Sequence, residues 1–121
     1  MAKKILVIED EKDIRETIVY VLEEQGYEVI SSEDAKVVKS IDSLKPDLIL
    51  LDVLISGNDG RTICKQLKSQ PETKDIPVIM FSAHPSAAAT IAEYGADDFI
   101  AKPFDVNELL AKVNAQLKQN A

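Results

Sequence analysis

The stretch Leu48-Ile49-Leu50-Leu51-Asp52 decides how this chain folds. Four successive apolar residues, with no polar alternation, read as a strand buried on both faces, as in a parallel sheet covered by helices. Asp52 then stands at the C-terminal end of that strand, where open α/β sheets place their ligand crevice. Further out, Ile5-Leu6-Val7-Ile8 ends on Glu9 and Asp10, and Phe99-Ile100-Ala101 ends on Lys102. Three acids and one lysine at the ends of three strands describe a site for a divalent cation and a phosphoryl group.

The remaining segments alternate strand and helix. Val78–Phe81 reads as a third central strand, with Glu28–Ser31 and Phe99–Ala101 as shorter edges. Ile14, Ile18, Val21 and Leu22 recur at helical spacing before Gly26, a helix stop. Val37, Val38, Ile41 and Leu44 form a second stripe before Pro46, and Ile63 with Leu67 a third before Pro71. Ala87 to Tyr94 reads as an alanine-rich helix stopped by Gly95. Asp105 and Glu108 make a capping-box-like start to a last helix with the stripe Val106, Leu109, Leu110, Val113, Leu117. Strands alternating with helices of this length imply a parallel sheet with right-handed crossovers and helices on both faces.

At 121 residues the chain has room for one domain, expected over residues 1–121, with any output domain outside this sequence or absent. Apolar residues at 45% and charged residues at 29% fit an ordinary globular protein. Twenty-one acids against 14 bases give a net charge of −7, which argues against direct contact with nucleic acid or an anionic membrane. No apolar run approaches the roughly 20 residues of a membrane span, and Met1-Ala2-Lys3-Lys4 leads into a strand without a signal-peptide core. The single Cys64 cannot form an intrachain disulfide, in keeping with a cytoplasmic location.

Taken together, Glu9-Asp10, Asp52, Ser82-Ala83 and Lys102-Pro103-Phe104 resemble the response-regulator receiver family of two-component signalling, from Lys4 to about Leu117. The resemblance implies a flavodoxin-like doubly wound fold with five strands in the order 2-1-3-4-5. It also implies that the chain is no enzyme in the ordinary sense, but a phosphoacceptor switch that assists its own phosphorylation and dephosphorylation. Asp52 would take a phosphoryl group from the phosphohistidine of a sensor histidine kinase or phosphotransfer protein. Mg²⁺ would be bound by Asp10, Asp52 and the backbone carbonyl of Leu54, with Glu9 holding ligated water. Lys102 would neutralise the phosphoryl group, and Ser82, with Ala83 beside it, would bind one of its oxygens. Phe99 would be the switch aromatic, and the Lys102–Pro103 bond would be cis to aim the lysine. The output partner is left unknown, and the family also allows a homodimer through the output face.

The chain departs from the common pattern at three places. Ile55-Ser56 stands where many receivers have Met-Pro, so a more flexible loop is expected there. The stretch Ser82 to Lys102 is roughly two residues shorter than in many relatives. Phe99 lacks the hydroxyl of the more frequent tyrosine, so its switch would rest on packing.

Blander readings compete at several residues. Asp13 reads as a helix N-cap, His84 as a solvated loop residue, and Cys64 as a small hydrophobe at a helix boundary. Asp59-Gly60 and Asp97-Asp98 read as turn and cap residues, and Phe99 reads almost equally well as a plain core aromatic. Among other functions, a flavin carrier or nucleotide binder would need a phosphate loop or glycine fingerprint that is absent. An aspartyl phosphatase would need an acid where Leu54 stands. The strongest rival is a degenerate receiver used only for docking or dimerisation, but such proteins lose the acid pair, the phosphoacceptor or the lysine.

Overall fold

The computed structural model describes residues 2–55 and 57–119. Five parallel strands form the central sheet: β1 (Lys4–Ile8), β2 (Glu28–Ser32), β3 (Leu48–Asp52), β4 (Val78–Ser82) and β5 (Asp98–Ala101). Their spatial order is β2-β1-β3-β4-β5, so the expected 2-1-3-4-5 sheet is formed. Register sets the crevice: Ile8 lies beside Leu51, Asp52 beside Phe81, and Ser82 beside Ala101. The residues just past Ile8, Leu51 and Ala101 therefore come together at one edge.

Each central strand feeds two cores, because successive side chains point to opposite faces. Ile5, Val7, Leu48, Leu50, Ile79 and Phe81 pack with helix α1 (Lys12–Glu24) and helix α4 (Val106–Gln119). Leu6, Ile8, Ile49, Leu51, Val78 and Met80 pack on the other face, which is covered by α2 (Ile41–Leu44), α3 (Gly60–Lys68) and three 3₁₀ segments. Each fully buried Ile, Leu or Val contributes roughly 1.5–3 kcal/mol relative to exposure. The rigid sheet that results is what fixes the strand-end residues.

Helix ends largely follow the predicted punctuation. Gly26 and Gly95 both take positive φ, 90° and 87°, as helix stops require. Asp59 caps α3 by accepting the N–H of Arg61, and Asp105 caps α4 by accepting the N–H of Asn107. Asp97 accepts the N–H of Val78 and pairs with Lys68, so it serves the start of the sheet.

Three expectations about the helices need correction. The second helical stripe is a 3₁₀ segment, Ala35–Ser40, followed by a single α turn, Ile41–Leu44. Adjacent β-branched Val37 and Val38 are poor helix formers, and Asp34 caps the tighter turn through Lys36. Ala87–Tyr94 is likewise no α-helix but two 3₁₀ turns, Pro85–Ala89 and Ile91–Tyr94, meeting at Thr90. The Thr90 hydroxyl donates back to the Ala87 carbonyl at 3.0 Å, a side-chain bond that competes with regular helix. Asp13 is not the cap of α1; Glu11 occupies that position without a side-chain cap, and Asp13 sits in the first turn, where its charge meets the helix dipole.

Cys64 is fully buried rather than at a boundary, and burial pushes its thiol pKa up to about 11. After Asp52 the chain forms a two-residue ribbon, with Leu54 opposite Asp59 and Ile55 opposite Asn58. Ser56 of the Ile55-Ser56 departure lies outside the described residues.

Candidate functional site

The crevice at the C-terminal edge of β1, β3 and β5 gathers the expected residues. Glu9 is fully buried and Asp52 nearly so, whereas Asp10 is exposed. One carboxylate oxygen from each of the three lies within 4.8 Å of the others. Lys102 bridges two of them, its Nζ 2.7 Å from Asp52 Oδ2 and 2.8 Å from Glu9 Oε1. The ammonium also lies over the Phe81 ring, 5.1 Å from its centre.

Electrostatics follow from that crowding. Burial raises the Glu9 pKa to about 8, and the neighbouring Asp52 adds to the rise while Lys102 opposes it. Burial works against the Lys102 ammonium, but Asp52 and Glu9 more than offset this and leave its pKa raised. Glu9 Oε2 is buried and has no hydrogen-bond partner among the described residues. An unsatisfied buried carboxylate oxygen is costly. An all-oxygen set of three acids with one such orphan fits a hard divalent cation.

Backbone contacts hold these side chains in place. The Glu9 N–H donates to the Ser32 carbonyl at 3.0 Å, and Arg15 Nη1 donates to the Glu9 carbonyl at 2.9 Å. The Leu54 N–H donates to Asp52 Oδ1 at 3.2 Å, while Leu54 itself is 59% exposed. The Lys102 N–H donates to the Ser82 carbonyl at 2.9 Å, and the Lys102–Pro103 bond is cis.

Ser82 is buried, and its hydroxyl oxygen accepts the N–H of His84 at 3.0 Å, closing its own loop. Ala83 and His84 are exposed. Phe99 is half-buried, packed on the core face that holds Ala87 and Ile91, and its carbonyl accepts from Lys112.

Two positions matter more than their sequence suggested. Gly60 reads locally as a turn residue, yet a Cβ there would lie 2.0 Å from the carbonyl oxygen of Asp52. The backbone of α3 is thus pressed directly against the end of β3. Arg15 carries no local signal for its bond to Glu9, since only the folded loop brings the two together.

A doubly wound parallel sheet with an acidic crevice and a bridging lysine at its strand ends defines a signalling domain of the receiver class. The family model for the response regulator receiver domain matches residues 5–114, and the chain belongs to that family. It is 41% identical over 122 residues to the phosphate regulon transcriptional regulatory protein PhoB of Escherichia coli strain K12, covering 98% of this chain and 53% of PhoB. The chain therefore spans about half the length of the curated relatives it matches.

Solved structures agree. A response regulator from Chloroflexus aurantiacus superposes with a TM-score of 0.92 at 33% identity, covering 98% of this chain and 99% of that one. The signal receiver domain of a histidine kinase from Syntrophus aciditrophicus gives 0.89 at 36% identity, covering 98% and 92%. The chain is a receiver domain of two-component phosphorelay signalling, and a docking-only role is not favoured. Among the described residues no helix is long and apolar enough to cross a membrane.

Proposed function

We propose that Asp52 is the phosphoacceptor and that the single receiver domain, residues 1–121, works as a cytoplasmic phosphorelay switch. The observation that carries this is Lys102 Nζ seated between Asp52 and Glu9, with Asp10 completing the acidic cluster. An Asp52 carboxylate oxygen would attack the phosphorus of a phosphohistidine on a sensor kinase or phosphotransfer protein. The new O–P bond forms as the P–N bond breaks, and the imidazole nitrogen keeps the electron pair. Bound Mg²⁺ would neutralise charge between the carboxylate and the anionic phosphoryl oxygens.

Asp10, Asp52 and the Leu54 carbonyl would hold that ion directly, and Glu9 would hold one of its waters. Lys102 would turn from the carboxylates to the transferred phosphoryl group. Ser82 would release the His84 N–H and bond a phosphoryl oxygen, with Ala83 leaving the approach open. Phe99 would then pack further inward, remodelling the face formed by the 3₁₀ turns, β5 and α4. The same crevice would assist hydrolysis of the acyl phosphate. Output through that face, to a partner protein or a second copy, fits the acidic charge of the chain better than direct contact with nucleic acid or membrane.

Intact mass after incubation with a small phosphodonor and Mg²⁺ tests the assignment. One added phosphate is expected, lost in Asp52→Asn and without the metal. An unmodified wild-type chain beside a competent control receiver would refute it.

A further inference from the structure

Arg61 makes contacts that its own helix does not require. Its N–H and Nε reach Asp59 Oδ1 at 2.9 and 3.1 Å, and Nη2 reaches Asp59 Oδ2 at 3.0 Å. Nη1 donates to Thr90 Oγ1 at 3.1 Å, 29 residues further along the chain. The guanidinium also lies over the Tyr94 ring, 5.6 Å from its centre. Thr90 is the junction of the two 3₁₀ turns, and its hydroxyl donates onward to the Ala87 carbonyl. One planar cation thus holds Asp59 along one edge, Thr90 at another and Tyr94 on its face. A lysine ammonium has no such fork.

The Asp59 end of this clamp is anchored to the loop after Asp52. Asp59 pairs with Leu54 in the short ribbon, and the Leu54 N–H donates to Asp52 Oδ1. Gly60, between Asp59 and Arg61, donates its N–H to the Val53 carbonyl at 2.5 Å and lies hard against the Asp52 carbonyl. Exposed ion pairs as such contribute little. What sets this one apart is that the same guanidinium spans from the Asp52 loop to a segment reached through a different strand.

We propose that Arg61 is a positioning residue that ties the loop after Asp52 to the 3₁₀ pair at residues 85–94. A change at the Asp52 carboxylate then reaches that segment by a route separate from Ser82 and Phe99. The last arm of the test below rests on the phosphoacceptor reading, and the first does not.

The first arm is amide hydrogen exchange across residues 85–94 in the full chain for Arg61→Ala, Thr90→Val, the double variant and Thr90→Ser. Each of the two single losses should speed exchange about three- to fivefold, the factor for one half-exposed charged hydrogen bond. The double variant should exchange more slowly than the product of the two single effects predicts, because the Arg61–Thr90 contact is lost in both, and Thr90→Ser should match wild type. Unchanged exchange in the singles, or additive effects in the double, would overturn the proposal. In the second arm, with phosphate on the protein verified by intact mass, chemical-shift changes at residues 90–94 should shrink in Arg61→Ala while those at Phe99 persist. An undiminished response at 90–94 also overturns it. A chain that takes no phosphate refutes the phosphoacceptor reading instead, and the exchange arm still decides the clamp.

Discussion

Lys102 Nζ and Asp52 Oδ2 lie 2.7 Å apart although their residues are 50 positions apart in the chain. Only the parallel register of β3, β4 and β5 brings them into contact. The pair means that the carboxylate proposed as nucleophile already has a resident counter-charge. A metal ion entering the crevice has to share that carboxylate with an ammonium, so the remaining acids decide how well it is held.

Asp10→Asn should therefore weaken Mg²⁺ binding more than Glu9→Gln. Losing a residue that holds only ligated water costs roughly 10–100-fold in affinity, and losing a direct carboxylate ligand costs more. Calorimetric titration of both variants reads the ranking directly. Equal or reversed losses would show that the division into a direct ligand, Asp10, and a water-holding one, Glu9, is wrong.

The raised Glu9 pKa predicts two pH dependences. Without metal, the folded state keeps a proton on Glu9 up to about pH 8, whereas the unfolded chain releases it near 4.5, the ordinary value for this carboxylate. The folded state thus binds more protons across that window, so this group's contribution to stability falls as pH rises from about 4.5 to 8. The melting temperature should fall more steeply over that range in wild type than in Glu9→Gln. Mg²⁺ binding should show the opposite trend, strengthening by up to about tenfold per pH unit below 8 as the proton is displaced. A metal affinity that does not vary between pH 6 and 8 would be incompatible with a protonated Glu9.

Gly60→Ala should cost stability at a site with no cavity to fill. Its Cβ would sit 2.0 Å from the Asp52 carbonyl oxygen, so α3 or the end of β3 must move. Overpacking of this kind costs about 1–3 kcal/mol. Urea unfolding measures it, and the surviving folded protein should take phosphate more slowly. Wild-type stability and rate together would mean that the backbone gives way freely here.

Leu54 and His84 stand two positions after Asp52 and Ser82, the proposed phosphoacceptor and the proposed phosphoryl-binding hydroxyl. Leu54 cannot hydrogen-bond an attacking water and would screen it, whereas exposed His84 is engaged through its backbone N–H with Ser82. Leu54→Asn should change the dephosphorylation rate measurably, and His84→Ala only weakly. Loss of phosphoprotein after donor removal gives both rates. A dominant His84 effect would transfer the water-orienting role to the chain's single histidine.

The sheet was legible because its signals are local. Runs such as Leu48–Leu51 need only their own neighbours to read as strands, and a residue following such a run can lie only at the sheet edge. The 3₁₀ turns were not legible for the converse reason. Ala87–Tyr94 has the composition of a helix, but Thr90 spends its hydroxyl on Ala87 and receives Arg61 from another element. The same holds for Arg15 and Gly60, whose partners Glu9 and Asp52 stand only six and eight positions back but are met through loop geometry that neither helix nor strand spacing encodes. Asp13 misled because acids are favoured both as caps and in the first turn, two positions apart.

Cys64 gives the molecule an internal clock. Its sulfur has no solvent exposure, and burial holds the thiol pKa near 11, so almost no thiolate exists in the closed protein at neutral pH. Reaction with an alkylating reagent can proceed only in those moments when α3 lifts from the sheet. Labelling of this one sulfur therefore counts openings of the helix that begins at Gly60, and it does so without adding a probe to the chain.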